Sequence, residues 1–320
     1  MSNKQSVLVT GGTGQQGGAV ARALLSRGHR VRALTRKPDS NAARQLMSTG
    51  ADLVTGDLGD AASVLKAASG VSTMFLMGNS YEAGTEEETR QGISAAEAAK
   101  AAGVGHLIYS SVADANKKTG IPHFQSKYLV ESLVAGLGIP YTISAPVAFM
   151  ENIVAPWSIG ALRQGTHAFA MPPKRVLQLV ALADIGAFVA ALVERREQVF
   201  GMRFDFAGDE LSGEEQVKTL SRTPSAARSS IRKSQSPWLA SKARMQRSCS
   251  NGSTASATTP ISLRCVGIFP RSAGTVLQTG RASLTGAFLN GRLLSPEFAL
   301  PPTDAVNRDH IDPSLDASRY

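Results

Sequence analysis

The stretch Ser6-Val7-Leu8-Val9-Thr10-Gly11-Gly12-Thr13-Gly14-Gln15-Gln16-Gly17 decides the fold. Val7–Thr10 reads as a buried strand, and Gln15–Ser26 as a small-residue helix ending at Gly28. A glycine-rich turn therefore joins strand to helix, and each glycine has its own task. Gly11 lets the chain turn sharply out of the strand. Gly14, with no Cβ, lets the backbone approach a pyrophosphate, and Gly17 lets the helix pack tightly on the sheet. Free N–H groups and the dipole at the helix start then attract phosphates to the loop Gly11, Gly12, Thr13, Gly14, Gln15, Gln16 and Gly17. An ordinary tight turn would also use glycines. The strand before, the helix after and a second strand at Val31–Thr35 favour a dinucleotide site. No Gly-Lys-Ser/Thr follows, which excludes a mononucleotide Walker loop.

Outward from this turn the same rhythm continues. Helices at Asn41–Ser48, Ala61–Ala68, Glu86–Ala102 and Gln125–Ala135 alternate with strands at Ala51–Thr55, Thr73–Met77, His106–Ser110 and Tyr141–Ala145. Strands spaced by helices predict βαβ units and a doubly wound parallel sheet, an α/β Rossmann fold. Glu86, Glu87 and Glu88 suit the positive end of their helix dipole. After Pro146 the rhythm loosens. Arg175–Val180, a helix capped by Asp184, Met202–Ala207 and a helix opened by the capping box Ser212-Gly213-Glu214-Glu215 predict a smaller lobe. The expected division is 1–150 for nucleotide binding, 151–222 for the lobe and 223–320 for a tail.

The end of the second strand selects the dinucleotide. An NAD site usually carries Asp or Glu there for the ribose 2′-OH, and an NADP site a cation for the 2′-phosphate. The chain reads Thr35-Arg36-Lys37-Pro38, with no acid before Asp39. Arg36 can stack on adenine and bond the phosphate, and Lys37 adds charge, so NADP is expected. A solvated basic turn is the bland alternative. Gly56-Asp57 ends the third strand, where a carboxylate commonly faces the adenine amino group or caps a helix.

Charge divides the chain unevenly. The whole has 320 residues and a net charge of +9. Residues 1–218 hold 21 basic and 20 acidic residues, so the excess lies beyond them, and no Asp or Glu occurs between Glu215 and Glu297. Ser221–Pro260 contains eleven serines. A folded surface normally mixes both signs, so the tail is expected to be disordered and foreign to the rest, by a frameshift near 220–225 or as a basic extension. It lacks the aromatic interleaving of a single-strand binder, which makes nucleic acid a poor partner. Two cysteines, Cys249 and Cys265, argue against a disulfide scaffold or a zinc cluster. The longest apolar run, Val176–Val193, carries Asp184 near its middle and reads as strand plus helix rather than a membrane span. A cytoplasmic protein is expected.

Over about residues 5–220 these features together resemble the NmrA-like (HSCARG-type) family, an atypical branch of the short-chain dehydrogenase/reductase superfamily. The resemblance is carried by Gly11–Gly17, Thr35–Pro38, Gly56-Asp57, Gln91-Gly92, His123-Phe124-Gln125-Ser126-Lys127, Phe149-Met150-Glu151-Asn152 and Asp184-Ile185-Gly186. It implies NADP lying along the strand ends, lined by Arg36, Asp57, Met77, Gly78, Lys127, Phe149 and Asn152. Arg90 stands where the family often places a Lys near the phosphates.

The usual members of the superfamily reduce carbonyls with a Ser and a Tyr-x-x-x-Lys pair. Here Lys127 is present and Ser110 or Ser111 ends the fifth strand, but the residue four before Lys127 is His123. Tyr128 points about 100° away from the Lys on a helix. The usual proton donor is missing, which leaves water or His123 as the proton source, and His123 is more readily a cap or packing residue than a catalyst. Two functions follow. One is an NADP(H)-binding redox sensor or regulator acting on a protein partner. The other is an NADPH-dependent reductase of a small quinone or enone, with Ser111, His123 and Lys127 as its candidate catalytic residues.

Overall fold

The computed structural model describes residues 4–169, 171–222 and 230–232. All of them fall in the first of two units, Met1–Thr279. The expected tail therefore lies outside the described residues, apart from one short strand. In chain order the elements are β1 (Ser6–Val9), α1 (Gln15–Ser26), β2 (Arg30–Thr35), α2 (Asn41–Ser48), β3 (Asp52–Thr55), α3 (Ala61–Ala68), β4 (Thr73–Met77), a short α4 (Ser80–Ala83) and α5 (Thr85–Ala101). There follow β5 (Leu107–Ser110), α6 (Pro122–Gly136), β6 (Tyr141–Pro146), β7 (Ala148–Phe149) and a 3-10 turn at Met150–Val154. The rest comprises α7 (Ile159–Arg163), β8 (Thr166–Ala168), β9 (Val176–Val180), α8 (Leu182–Glu194), β10 (Met202–Phe206), β11 (Asp209–Ser212), α9 (Gly213–Arg222) and β12 (Ser230–Arg232).

Seven strands pair in parallel in the order β10-β6-β5-β4-β1-β2-β3. The chain winds outward from β1 through β3, then crosses to β4 and winds the other way. Its direction reverses between β1 and β4, and in open α/β sheets a crevice for ligands opens at the carboxyl ends of such strands. This is the expected Rossmann sheet. Residue alternation builds a core on each face. Val7 and Val9 of β1 join Phe75 and Ile108 under α1 and α8, while Leu8 joins Met74, Leu76 and Leu107 under α3, α5 and α6. Each fully buried Leu, Ile or Phe adds about 1.5–3 kcal/mol, so the strand pattern is strongly fixed.

Elements beyond residue 150 return to the main layers. β10 extends the sheet beside β6, with Phe204 opposite Ser144. α8 packs its apolar face against α1. Smaller sheets are formed by β11-β9-β7 and by β12-β8. The run Val176–Val193 divides into β9 and α8 as read, and among the described residues no helix is long and apolar enough to cross a membrane. The capping box is present: Ser212 Oγ donates to Glu215 Oε2 at 2.7 Å, and the Glu215 N–H donates back to Ser212 Oγ at 3.3 Å.

One cap differs from the sequence reading. Asp184 does not cap α8 but lies in its first turn, where its charge faces the positive end of the helix dipole. The Glu151 carboxylate, from the 3-10 turn, accepts the Leu182 N–H at 2.9 and 3.1 Å instead. A cap supplied from 31 residues away leaves no local signature. α6 also starts three residues before the expected Gln125, with Pro122 in its first turn, which carries His123 into the helix.

Candidate functional site

The glycine loop has the backbone its sequence demands. Gly11 adopts φ +63°, a conformation that favours glycine, and its carbonyl accepts the Gly14 N–H at 2.9 Å. A Cβ on Gly17 would stand 2.3 Å from Gly11 O, so any side chain there would drive α1 away from the loop. Gly14 is the N-cap and offers no side-chain bond, leaving the first N–H groups of α1 available to an anion. Gly11, Gly14 and Gln15 are exposed, Thr13 is half-buried, and Gly12 and Gln16 are buried. Gln16 turns inward, and its Nε2 donates to Ser110 Oγ at 2.7 Å. Thr10 ties β1 to β4: its Oγ1 accepts the Met77 N–H at 2.8 Å and donates to Met77 O at 3.2 Å. The Met77 side chain lies against Gly11, its Sδ only 2.9 Å from where a Cβ there would stand.

The β2–β3 side of the crevice is open and charged. Arg36 follows β2 immediately, and its Nη2 lies 2.7 Å from Glu82 Oε2 on α4, with the two side chains 58% and 57% exposed. Lys37 is exposed, and its N–H donates to Thr35 Oγ1 at 3.1 Å. After β3 comes Gly56, then Asp57, whose Oδ1 accepts the Gly59 N–H at 2.8 Å. The cap of α3 is Asp60, accepting from Ala62 and Ser63, so Asp57 is released from that task. Arg90 Nη2 is 3.7 Å from where a Cβ on Gly59 would stand, bringing α5 beside the β3 loop. Its guanidinium donates to Glu87 at 2.8 and 2.6 Å, and with the Gln91 amide holds the Glu87 carboxyl below the usual carboxylate range.

The β4–β5 side is closed and bonded. Glu88, at 1% exposure, accepts Lys127 Nζ on Oε1 at 2.8 Å and Ser126 Oγ on Oε2 at 2.7 Å. Its Cγ would lie 2.9 Å from a Cβ on Gly78, which places the carboxylate directly behind the end of β4. Lys127 keeps 15% side-chain exposure beside this buried carboxylate. Ser111 follows β5 and donates to Glu131, which is gripped in turn by Arg203 Nε at 2.9 Å. Arg203 also bonds Asp205 and Val112 O, fastening β10 to the β5 loop. Near both carboxylates lies the Tyr109 hydroxyl, buried and without a hydrogen-bond partner among the described residues. Burial, with Glu88 and Glu131 nearby, pushes this phenol well above its usual value.

His123 stands in the first turn of α6, edge-on to Phe124 with ring centroids 4.9 Å apart. Burial, and then the Lys127 charge, push its imidazole below the usual histidine value, with Glu88 opposing. A neutral imidazole is a weak proton donor near pH 7. Tyr128 lies on the exposed side of α6. Phe149, on β7, packs against the same face cluster as Met77, and the Asn152 carbonyl accepts Ser158 Oγ at 2.8 Å. Among the described residues no hydrogen bond ties Phe149 or Asn152 to the glycine loop. Among the described residues no group of three His, Cys, Asp or Glu side chains is placed to hold a metal ion.

Contacts thus connect Gly11, Met77, Gly78, Glu88 and Lys127 in one continuous chain. Four members of the surroundings had no sequence signal: Glu82, Glu88, Glu131 and Arg203. Glu88 sits in an acidic run whose neighbours are solvated, and its partners lie 38 and 39 residues away.

A model of the NmrA-like family matches residues 3–246, continuing past residue 222. The chain is similar to the NmrA-like family domain-containing oxidoreductase FrzB of Cladobotryum sp, at 35% identity over 161 residues, 47% of this chain and 48% of that protein. It spans about half the length of the first curated relatives it matches. A longer match, 33% identical over 221 residues, covers 68% of this chain and 73% of the (4-alkanoyl-5-oxo-2,5-dihydrofuran-3-yl)methyl phosphate reductase of Streptomyces griseus. Among solved structures, NmrA, a negative transcriptional regulator crystallised in complex with NADP and also with NAD, has a TM-score of 0.67 at 22% identity. That alignment covers 79% of this chain and 83% of NmrA, and it is a likeness of fold.

Proposed function

The chain belongs to the NmrA-like family, and on that footing we propose that it is a cytoplasmic NADP(H)-binding redox sensor or regulator without the usual Tyr-Lys chemistry. The crevice fits a dinucleotide: a loop where a Gly17 side chain has no room, uncapped N–H groups at α1, and an exposed cation at the end of β2. In this reading α1 holds the pyrophosphate, Arg36 with Lys37 holds the 2′-phosphate, and Asp57 accepts from the adenine amino group. Arg90 adds charge beside the β3 loop. Lys127, fixed by Glu88, donates to the nicotinamide ribose, while Met77, Gly78, Phe149 and Asn152 line the rest. A bound nicotinamide supplies a hydride. Among the described residues, His123 stands where the usual Tyr would supply the proton that carbonyl reduction also needs, and its pKa is lowered by burial and Lys127.

The observation that carries this reading is the proton inventory around Lys127. His123 replaces the usual Tyr and is held neutral, and Ser111 is engaged with buried Glu131. NADP(H) would then be read as a signal, its occupancy altering contacts with a protein partner. A reductase of a small quinone or enone is the second reading, favoured by the Streptomyces griseus relative, which is named for reducing a ring bearing an alkanoyl group. Such a reaction could draw its proton from water.

One experiment separates the two. NADPH binding is measured by calorimetry, and NADPH consumption is followed against quinones, enones and aldehydes. Tight binding without consumption supports the sensor, and rapid consumption with one acceptor class supports the reductase. Lys127→Ala should weaken binding in both cases.

A further inference from the structure

We infer that Glu82 sets the balance between NADP and NAD by supplying, from across the crevice, the 2′ carboxylate that the end of β2 lacks. The inference rests on the dinucleotide reading above. An NAD site ordinarily places Asp or Glu at the end of β2 to accept from the ribose 2′-OH. Here that position is Arg36, and the next acid, Asp39, is three residues on and exposed. Glu82 comes from a different connection, α4 after β4, yet its Oε2 lies 2.7 Å from Arg36 Nη2. β1 lies between β2 and β4 in the sheet, so the pair reaches over the carboxyl end of β1, above the glycine loop.

The two nucleotides meet this pair differently. The 2′-phosphate of NADP seeks the Arg36 guanidinium and is repelled by the carboxylate, so Glu82 must give way. The 2′-OH of NAD donates to a carboxylate, and Glu82, already held at Arg36, is the one in place to accept. Both side chains are more than half exposed, so the pair is weakly held and a ligand can exchange for either partner. α4 is a single turn whose cap is Asn79, accepting the Tyr81 N–H at 3.1 Å, so moving Glu82 disturbs little else.

The test titrates the full chain with NADP and NAD by calorimetry in wild type, Glu82→Gln, Arg36→Ala, the double variant and Asp39→Asn. Glu82→Gln removes the charge and keeps the shape. It should tighten NADP and weaken NAD, moving their affinity ratio by about fivefold, the scale of an exposed charge pair. The ratio should still respond to Glu82→Gln when Arg36 is Ala, because the carboxylate itself meets the 2′ group, and Asp39→Asn should leave it unchanged. Glu82→Ala, which also removes the reach, should weaken NAD at least as much. An unchanged ratio in both Glu82 variants, with melting temperatures preserved, overturns the inference. Binding of neither nucleotide by wild type overturns the dinucleotide reading instead, so the two failures are told apart.

Discussion

The two sides of the crevice are built on opposite principles. On the β2–β3 side the charged groups are exposed and meet one another at the surface: Arg36 with Glu82, Arg90 with Glu87. On the β4–β5 side they are withdrawn and interlocked: Glu88 with Ser126 and Lys127, Glu131 with Ser111 and Arg203. Exposed pairs contribute about 0–1 kcal/mol and change partner readily, as a ligand-binding rim requires. Buried ones hold each other because either partner left alone would be an uncompensated charge in a poor solvent. One side is therefore suited to recognise, and the other to hold Lys127 still.

The largest effect should come from breaking the closed side. Glu131→Ala strips Arg203 of a buried partner and leaves the Ser111 hydroxyl unpaired. Loss of about 3–5 kcal/mol is expected, read from chemical denaturation. Arg36→Ala on the open side should leave the same denaturation curve within about 0.5 kcal/mol. Similar losses for both variants would abolish the contrast.

Acid should sharpen it. His106 directly precedes β5, the strand whose far end carries Tyr109 and Ser110. It is fully buried, with Nε2 2.9 Å from Thr142 Oγ1, and burial followed by the Arg196 charge lowers its pKa to about 3. The folded value lies below the unfolded one of about 6.5, so the stability from neutral His106 is complete above pH 6.5 and is lost as pH falls toward 3. At pH 5 the loss should be about 2 kcal/mol. His106→Gln should flatten that part of the pH–stability curve, and an unflattened curve would place the acid sensitivity elsewhere.

How much of this was legible depended on distance along the chain. Alternating strands and helices, the glycine loop and the Ser212–Glu215 box are local patterns, and the structure contains them all. Glu88 was not legible. In the run Glu86-Glu87-Glu88 every residue suits the helix dipole, and only tertiary packing selects the one that is buried. The Arg36–Glu82 pair spans 46 residues and joins two separate connections, so no spacing announces it. Asp184 was misread as a cap for the same reason, since the true cap, Glu151, arrives from another element. Residues whose roles are backbone geometry or period could be read. Those whose roles are set by a distant partner could not.

On the open side, Arg36→Ala should lower NADP affinity about tenfold, or ~1.4 kcal/mol, with NAD affinity nearly intact. Paired calorimetric titrations check this. An equal loss for both nucleotides would mean that Arg36 holds the adenine ring rather than the phosphate, and would make the open side a general rim with no discrimination.

The smallest expected effect is at His123, on α6 beside Lys127 on the closed side. Its ring is partly buried against Phe124, and burial and the Lys127 charge keep it neutral. A neutral ring that packs beside Lys127 contributes little to a bound dinucleotide, so His123→Ala should change NADPH affinity by less than about twofold, or ~0.4 kcal/mol. A catalytic role predicts a different pattern. If wild type reduces a quinone and His123→Ala abolishes that rate while preserving NADPH affinity, His123 delivers the proton. The rate would then fall as pH rises through the His123 pKa, which burial and Lys127 displace below the usual histidine value. A rate that survives the substitution with an unchanged profile leaves water as the proton source and His123 as a packing residue. No rate in either protein, with binding preserved in both, is the result the sensor reading requires.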